Sequence, residues 1–142
     1  MPAGRWLHRD SAFGAVTLEE PGALDLVKLE ALFAALFWDP SDFSDAVRDA
    51  CAALPPQEPP LVADVSAVPV PELYRSKGVI AIAGCSRMRT LQAVHATYEI
   101  LEGPEWADGD VRSTRIVFIG RNLHRGALTA ALRACVASPG PG

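Results

Sequence analysis

From Leu24 to Trp38 apolar residues recur at helical spacing, with Leu26, Leu29, Phe33, Leu36 and Phe37 on one stripe and Asp25, Lys28 and Glu30 off it. This predicts a helix that lays one face on a core. Its second half departs from the stripe, because Ala31 to Trp38 has no polar residue on any face. That end is therefore either covered on two sides or an exposed patch awaiting a partner. Asp39-Pro40-Ser41 stops the helix. Ser41 to Leu54 predicts a second, weaker one, with Asp42 and Asp45 near its N-terminus where the dipole favours anions. Near the other end of the chain, Ala127, Leu128, Ala131, Leu132, Cys135 and Val136 share one face of a helix over Leu123–Val136. Asn122 is its predicted N-cap, and Arg133 lies in its last turn.

Four segments read as strands. Ala12–Leu18 is ended by the turn Glu19-Glu20-Pro21-Gly22, while Val79–Ala83 and Arg115–Ile119 are apolar on both faces and so predicted to be central. Thr90–Ile100 alternates more and mixes in Gln92, His95 and Thr97. The order β-α-(α)-β-β-β-α predicts an α+β fold, a two-layer sandwich with a four-stranded mixed sheet and helices on one face. Its β-α-β start is expected to cross over right-handed.

At 142 residues the chain has room for one domain. Six prolines between Pro55 and Pro71 rule out a helix or central strand there. We expect one domain over 8–138 with a Pro-rich insertion at about 39–71, and a disordered tail at 139–142.

Charge and chemistry narrow the function by exclusion. Thirteen basic against seventeen acidic residues leave a net charge of −4, which offers no footprint for a phosphate backbone. Nucleic acid is not an expected partner. Cys51, Cys85 and Cys135 lack disulfide or zinc-ribbon spacing, Arg5, Arg9 and Asp10 stand where a signal peptide needs apolar residues, and no segment is long and apolar enough to span a membrane. These readings together predict a cytoplasmic protein without membrane contact. Neither Lys28 nor Lys77 follows a glycine, so no P-loop is present, and GxSxG, HExxH and GxGxxG are missing as well. Cys85 and His95 could form a thiolate–imidazole pair, but His95 reads as a structural mid-strand residue. The dispersed histidines His8, His95 and His124 give no ligand spacing with the cysteines. Neither a catalytic residue nor a metal ligand is assigned, and no cofactor is expected. Arg87, Arg89, Arg112, Arg115, Arg121 and Arg125 make the C-terminal half locally basic, which reads either as a solvated surface or as a docking surface for an acidic partner. Trp38 and Trp106 are packing residues or interface anchors.

The stretch Arg115-Ile-Val-Phe-Ile-Gly-Arg-Asn-Leu123, running on through His124-Arg125 to Leu128 and Leu132, resembles the closing signature of the CobW C-terminal domain family. Leu73-Tyr-Arg-Ser-Lys-Gly-Val79 resembles that family's second strand. Leu91 to Ile100 with Trp106 resembles its third strand and following tryptophan, as in eukaryotic-type members. His8 to Trp38, a strand, a Glu-Pro-Gly turn and a helix ending Leu-Phe-Trp, resembles its first half. Two departures stand out: the insertion is unusually long, and His124 replaces a commonly acidic residue. In that family the domain usually follows a P-loop GTPase domain, in proteins acting as GTP-driven metallochaperones for zinc or cobalt. The nucleotide site and the CxCC-type metal motif belong to that other domain, so no catalytic or metal residue carries over. The resemblance implies a non-catalytic interaction or regulatory domain, not an enzyme, whose partner is a GTPase domain, a client protein or a second copy of itself. Phe37, Trp38, Arg121 and Asn122 are the expected partner-binding residues. The alternative is a small-molecule or metal sensor using the sheet face around His95 and Gln92.

Overall fold

A computed structural model describes residues 13–137. The first residues of the predicted domain and the tail expected at 139–142 lie outside the described residues. β1 (Phe13–Glu20) leads into α1 (Leu26–Phe33), whose first turn is capped by Asp25, its side chain accepting from the Lys28 N–H at 3.1 Å. A wide π-type turn, Ala34–Trp38, prolongs this helix, and after Pro40–Asp42 the chain forms α2 (Phe43–Ala53). There follow β2 (Glu72–Ile80), β3 (Arg87–Val94), β4 (Thr97–Glu105), β5 (Thr114–Arg121) and α3 (Arg125–Arg133).

The sheet has five strands in the order β1-β5-β2-β3-β4, and every neighbouring pair is antiparallel. This corrects the expected four-stranded mixed sheet. The additional strand arises because Thr90–Ile100 is not one strand: Val94 pairs with Thr97, and the chain reverses at His95 and Ala96. His95 takes φ +52, and its N–H bonds back to the Tyr74 carbonyl at 2.9 Å. The strand expected at Val79–Ala83 also shifts. β2 runs from Glu72 and leaves the sheet at Ala81, whose carbonyl accepts from the Leu24 N–H at 2.8 Å. β1 and β2 are each antiparallel to β5, so the β-α-β start joins parallel strands with β5 between them.

One sheet face carries Val16, Leu18, Leu73, Ile80, Leu91, Ala93, Ile116 and Phe118, all buried against Leu29, Phe33, Phe43, Val47, Leu128 and Leu132 of the helices. The Pro-rich stretch is tied into this core through Val62 and Val68. Its Leu61 carbonyl lies so close to Gly126 that a Cβ there would overlap it. The last helix is capped by His124 rather than the expected Asn122, its Nδ1 accepting from the Ala127 N–H at 3.0 Å. Asn122 instead takes a left-handed φ of +57, which turns the chain from β5 into the cap.

Burial has a measurable signature at Cys135, whose thiol is pushed from its ordinary value near 9 up to about 11 by desolvation. The folded state favours the neutral thiol, so its contribution is complete below the unfolded value and is lost as pH rises through the folded one. Stability is expected to fall by about 2–3 kcal/mol between pH 9 and 11 from this group. Urea midpoints across that range check it: Cys135→Ala should flatten that part of the profile, and an unchanged slope would contradict the assignment.

Candidate interaction surface

The apolar end of α1 is resolved into two environments. Phe37 is 5% exposed and lies inside, stacked on Tyr98 of β4 at 5.0 Å between ring centres, while Phe33 meets Phe37 and Tyr98 edge-on at 5.5 and 5.6 Å. Burial, followed by the nearby Glu30 charge, raises the Tyr98 hydroxyl above its usual range. Trp38 is 64% exposed, 5.2 Å from the Tyr98 ring, and its indole Nε1 donates to the Ala96 carbonyl at 2.9 Å. The ring therefore latches the end of α1 to the β3–β4 turn while leaving most of its surface to solvent. Arg121 and Asn122 are exposed at the end of β5. Of the four residues expected to bind a partner, Trp38, Arg121 and Asn122 lie on the surface, while Phe37 is buried against Tyr98, the ring that Trp38 also meets.

The sheet face turned away from the helices forms an open trough of about 600 Å³ over β5, β2 and β3. The strand register sets its rows: Ile119, Arg75 and Val94 lie abreast, then Val117, Lys77 and Gln92, then Arg115, Val79 and Thr90. Apolar side chains thus form the floor, with cations set among them. Arg115 reaches Glu19 at 3.6 Å, both side chains 68% exposed, and such a pair adds little. Among the described residues Arg75 and Lys77 have no ion-pair partner. Sequence reasoning missed both as site residues. Their side chains meet only through the β2–β3–β5 register, which a one-dimensional pattern does not give.

The other candidate groups are separated. His95, expected mid-strand, stands at the tip of the hairpin outside the trough, its ring 5.7 Å from Tyr74. The Tyr74 hydroxyl donates to Glu72 at 3.0 Å, and this bond raises its pKa. Cys85 precedes β3 and His95 follows it, so the eight residues of β3 hold them about 25 Å apart and no dyad forms. Of the basic cluster, Arg87, Arg112 and Arg125 donate to the carbonyls of Gly103, Cys85 and Thr17 at 3.3, 3.2 and 2.8 Å. Arg89 lies 3.8 Å from the Cys85 sulfur. Trp106 is half-buried, its backbone N–H donating to the Ser86 carbonyl at 3.0 Å. Among the described residues no group of three or more His, Cys, Asp or Glu side chains is placed to hold a metal ion. No helix among them is long and apolar enough to cross a membrane.

This α+β fold has counterparts among known proteins. The family described as the cobalamin synthesis protein cobW C-terminal domain matches residues 13–136. The chain belongs to this family. Among solved structures, the CobW C-terminal domain described here is similar to the Zn(II)-bound YjiA GTPase from E. coli, at 17% identity and a TM-score of 0.62, over 92% of this chain and 32% of that one. A Zn(II)-bound triple mutant of the YjiA GTPase gives 16% identity and a TM-score of 0.58, over 89% of this chain and 30% of the other. The chain thus spans about a third of the length of these GTPases, and at such identities the likeness shows the fold alone.

Proposed function

We propose that this CobW C-terminal domain is a non-catalytic interaction and regulatory domain of a cytoplasmic metallochaperone system for zinc or cobalt, acting on a CobW-type GTPase domain that this sequence does not contain. The observation that carries the reading is the family match over 13–136, together with a sequence that holds no Gly-Lys pair for a P-loop. The exposed Trp38, held by Tyr98 and the Ala96 carbonyl, with Arg121 and Asn122, supplies a surface for that partner. An aromatic ring already held in place loses little side-chain freedom on docking, which is what an interface anchor needs.

The test is titration of this chain into a CobW-type P-loop GTPase from the same organism, read by calorimetry and by the rate of GTP hydrolysis. Trp38→Ala is expected to weaken association by more than about 1 kcal/mol with the circular dichroism spectrum unchanged. Trp38→Phe keeps a ring but removes the N–H to Ala96, and so separates docking from the latch. If Trp38→Ala unfolds the isolated chain and no partner binds the parent, Trp38 is core and the docking reading fails. The small-molecule alternative would use the trough, which Gln92 lines but His95 does not.

A further inference from the structure

We propose that the open sheet face is a docking site for an acidic amphipathic helix of a partner protein. This inference is independent of the GTPase reading, because it names the chemistry of the occupant and not the protein that carries it. Three observations define that chemistry. First, the trough lies over β5, β2 and β3, which are interior strands with neighbours on both sides. Their backbone groups are spent in the sheet, so an extended peptide would find no free edge to pair with. The occupant must arrive with its own backbone bonds satisfied, which is what a helix offers. Second, Val79, Val117 and Ile119 give the floor apolar surface that a helix stripe at i, i+3, i+4 and i+7 would cover. Third, Arg75 and Lys77 have no ion-pair partner among the described residues, and Arg115 has only the solvated Glu19 at 3.6 Å. Carboxylates flanking the apolar stripe would meet all three.

The size agrees. Three rows of side chains along the strands span about 14–20 Å, the length of roughly three helical turns. The short segments outside the described residues do not supply the complement. Residues 1–12 carry Arg5 and Arg9 against the single acid Asp10, and residues 138–142 carry no charged side chain. Single-stranded nucleic acid is disfavoured, since no aromatic ring lines the trough to stack a base.

The experiment uses the full chain and a designed helical peptide of three to four turns with leucines on one stripe and glutamates flanking it. The same peptide with lysines in place of the glutamates and an oligothymidylate serve as comparisons. Amide shifts on the glutamate peptide are expected at Lys77–Val79 and Val117–Ile119. The double variant Arg75→Glu, Lys77→Glu, exposed and remote from the core, should weaken binding at least about tenfold with the spectrum otherwise retained. High salt should weaken it likewise. The proposal is overturned if the lysine peptide or the oligonucleotide binds as tightly, or if the shifts map away from the trough. It is equally overturned if no shift appears up to about 1 mM peptide, or if sedimentation shows two copies of this chain joined through this face.

Discussion

Replacing Phe33 by alanine is expected to remove about 3–5 kcal/mol of stability, a large part of the 5–15 kcal/mol typical of a domain. Phe33 is fully buried, and its ring is the meeting point of Phe37 from its own helix and Tyr98 from β4. Alanine leaves a cavity between α1 and the β3–β4 hairpin that rigid neighbours on three sides fill poorly, and it removes two edge-on aromatic contacts. The effect should reach the surface as well. Trp38 rests on the same Tyr98 and is bonded to Ala96 of that hairpin, so its fluorescence should shift toward that of a solvated indole before global unfolding. Val27→Ala, on the exposed side of the same helix, is the control and should change stability by less than about 0.5 kcal/mol. Urea denaturation followed by circular dichroism checks both. A loss below about 1 kcal/mol for Phe33→Ala would mean that the aromatic cluster is not the joint between helix and hairpin.

That joint also marks the boundary of what the sequence could tell. α1 was legible because Leu29, Phe33 and Leu36 keep the helical period, and β5 because Ile116 and Phe118 sit in a run apolar on both faces. The hairpin was not. Its reversal at Val94-His95-Ala96-Thr97 contains none of the glycine, asparagine or proline that mark turns, and His95 adopts its positive φ without such a signal. A continuous alternation therefore read as one long strand, and the count of strands came out one short. The cap of α3 was misplaced by two residues for a comparable reason. Asn122 has the side chain usual at an N-cap, but the imidazole Nδ1 of His124 accepts the same kind of bond two residues nearer the helix. Of the surface, Trp38 was visible as the end of an over-long apolar run, because excess apolar residues can be counted along the chain. The open sheet face was named only as an alternative site around His95 and Gln92, and its cations were missed: Arg75 and Lys77 on β2 face Val117 and Ile119 on β5 only through a register set by the Leu73/Arg75 bulge.

The Pro-rich stretch, read from sequence as an insertion, supports the sharpest test of packing. In an exposed helix, replacing Gly126 by alanine would stabilise the fold by up to about 1 kcal/mol, since alanine is the better helix former. Here the sign is expected to reverse. Gly126 lies in the first turn of α3, directly under the Leu61 carbonyl, and an added Cβ would overlap that oxygen. The obstacle is backbone and not a side-chain end, so relief requires the segment from Leu61 onward to lift away from the helix. That motion would pull Val62, and Val68 behind it, out of the core. Gly126→Ala should therefore lower stability by about 1–3 kcal/mol, as overpacked sites do. It should also speed hydrogen exchange between Leu61 and Val68 more than in β5. Gly14→Ala, where a Cβ meets nothing within 4 Å, provides the comparison for a glycine replaced without conflict. If Gly126→Ala instead raises the urea midpoint and leaves exchange in the loop unchanged, the Pro-rich stretch is not docked on α3. Val62 and Val68 would then contribute nothing to the core that positions the trough and Trp38.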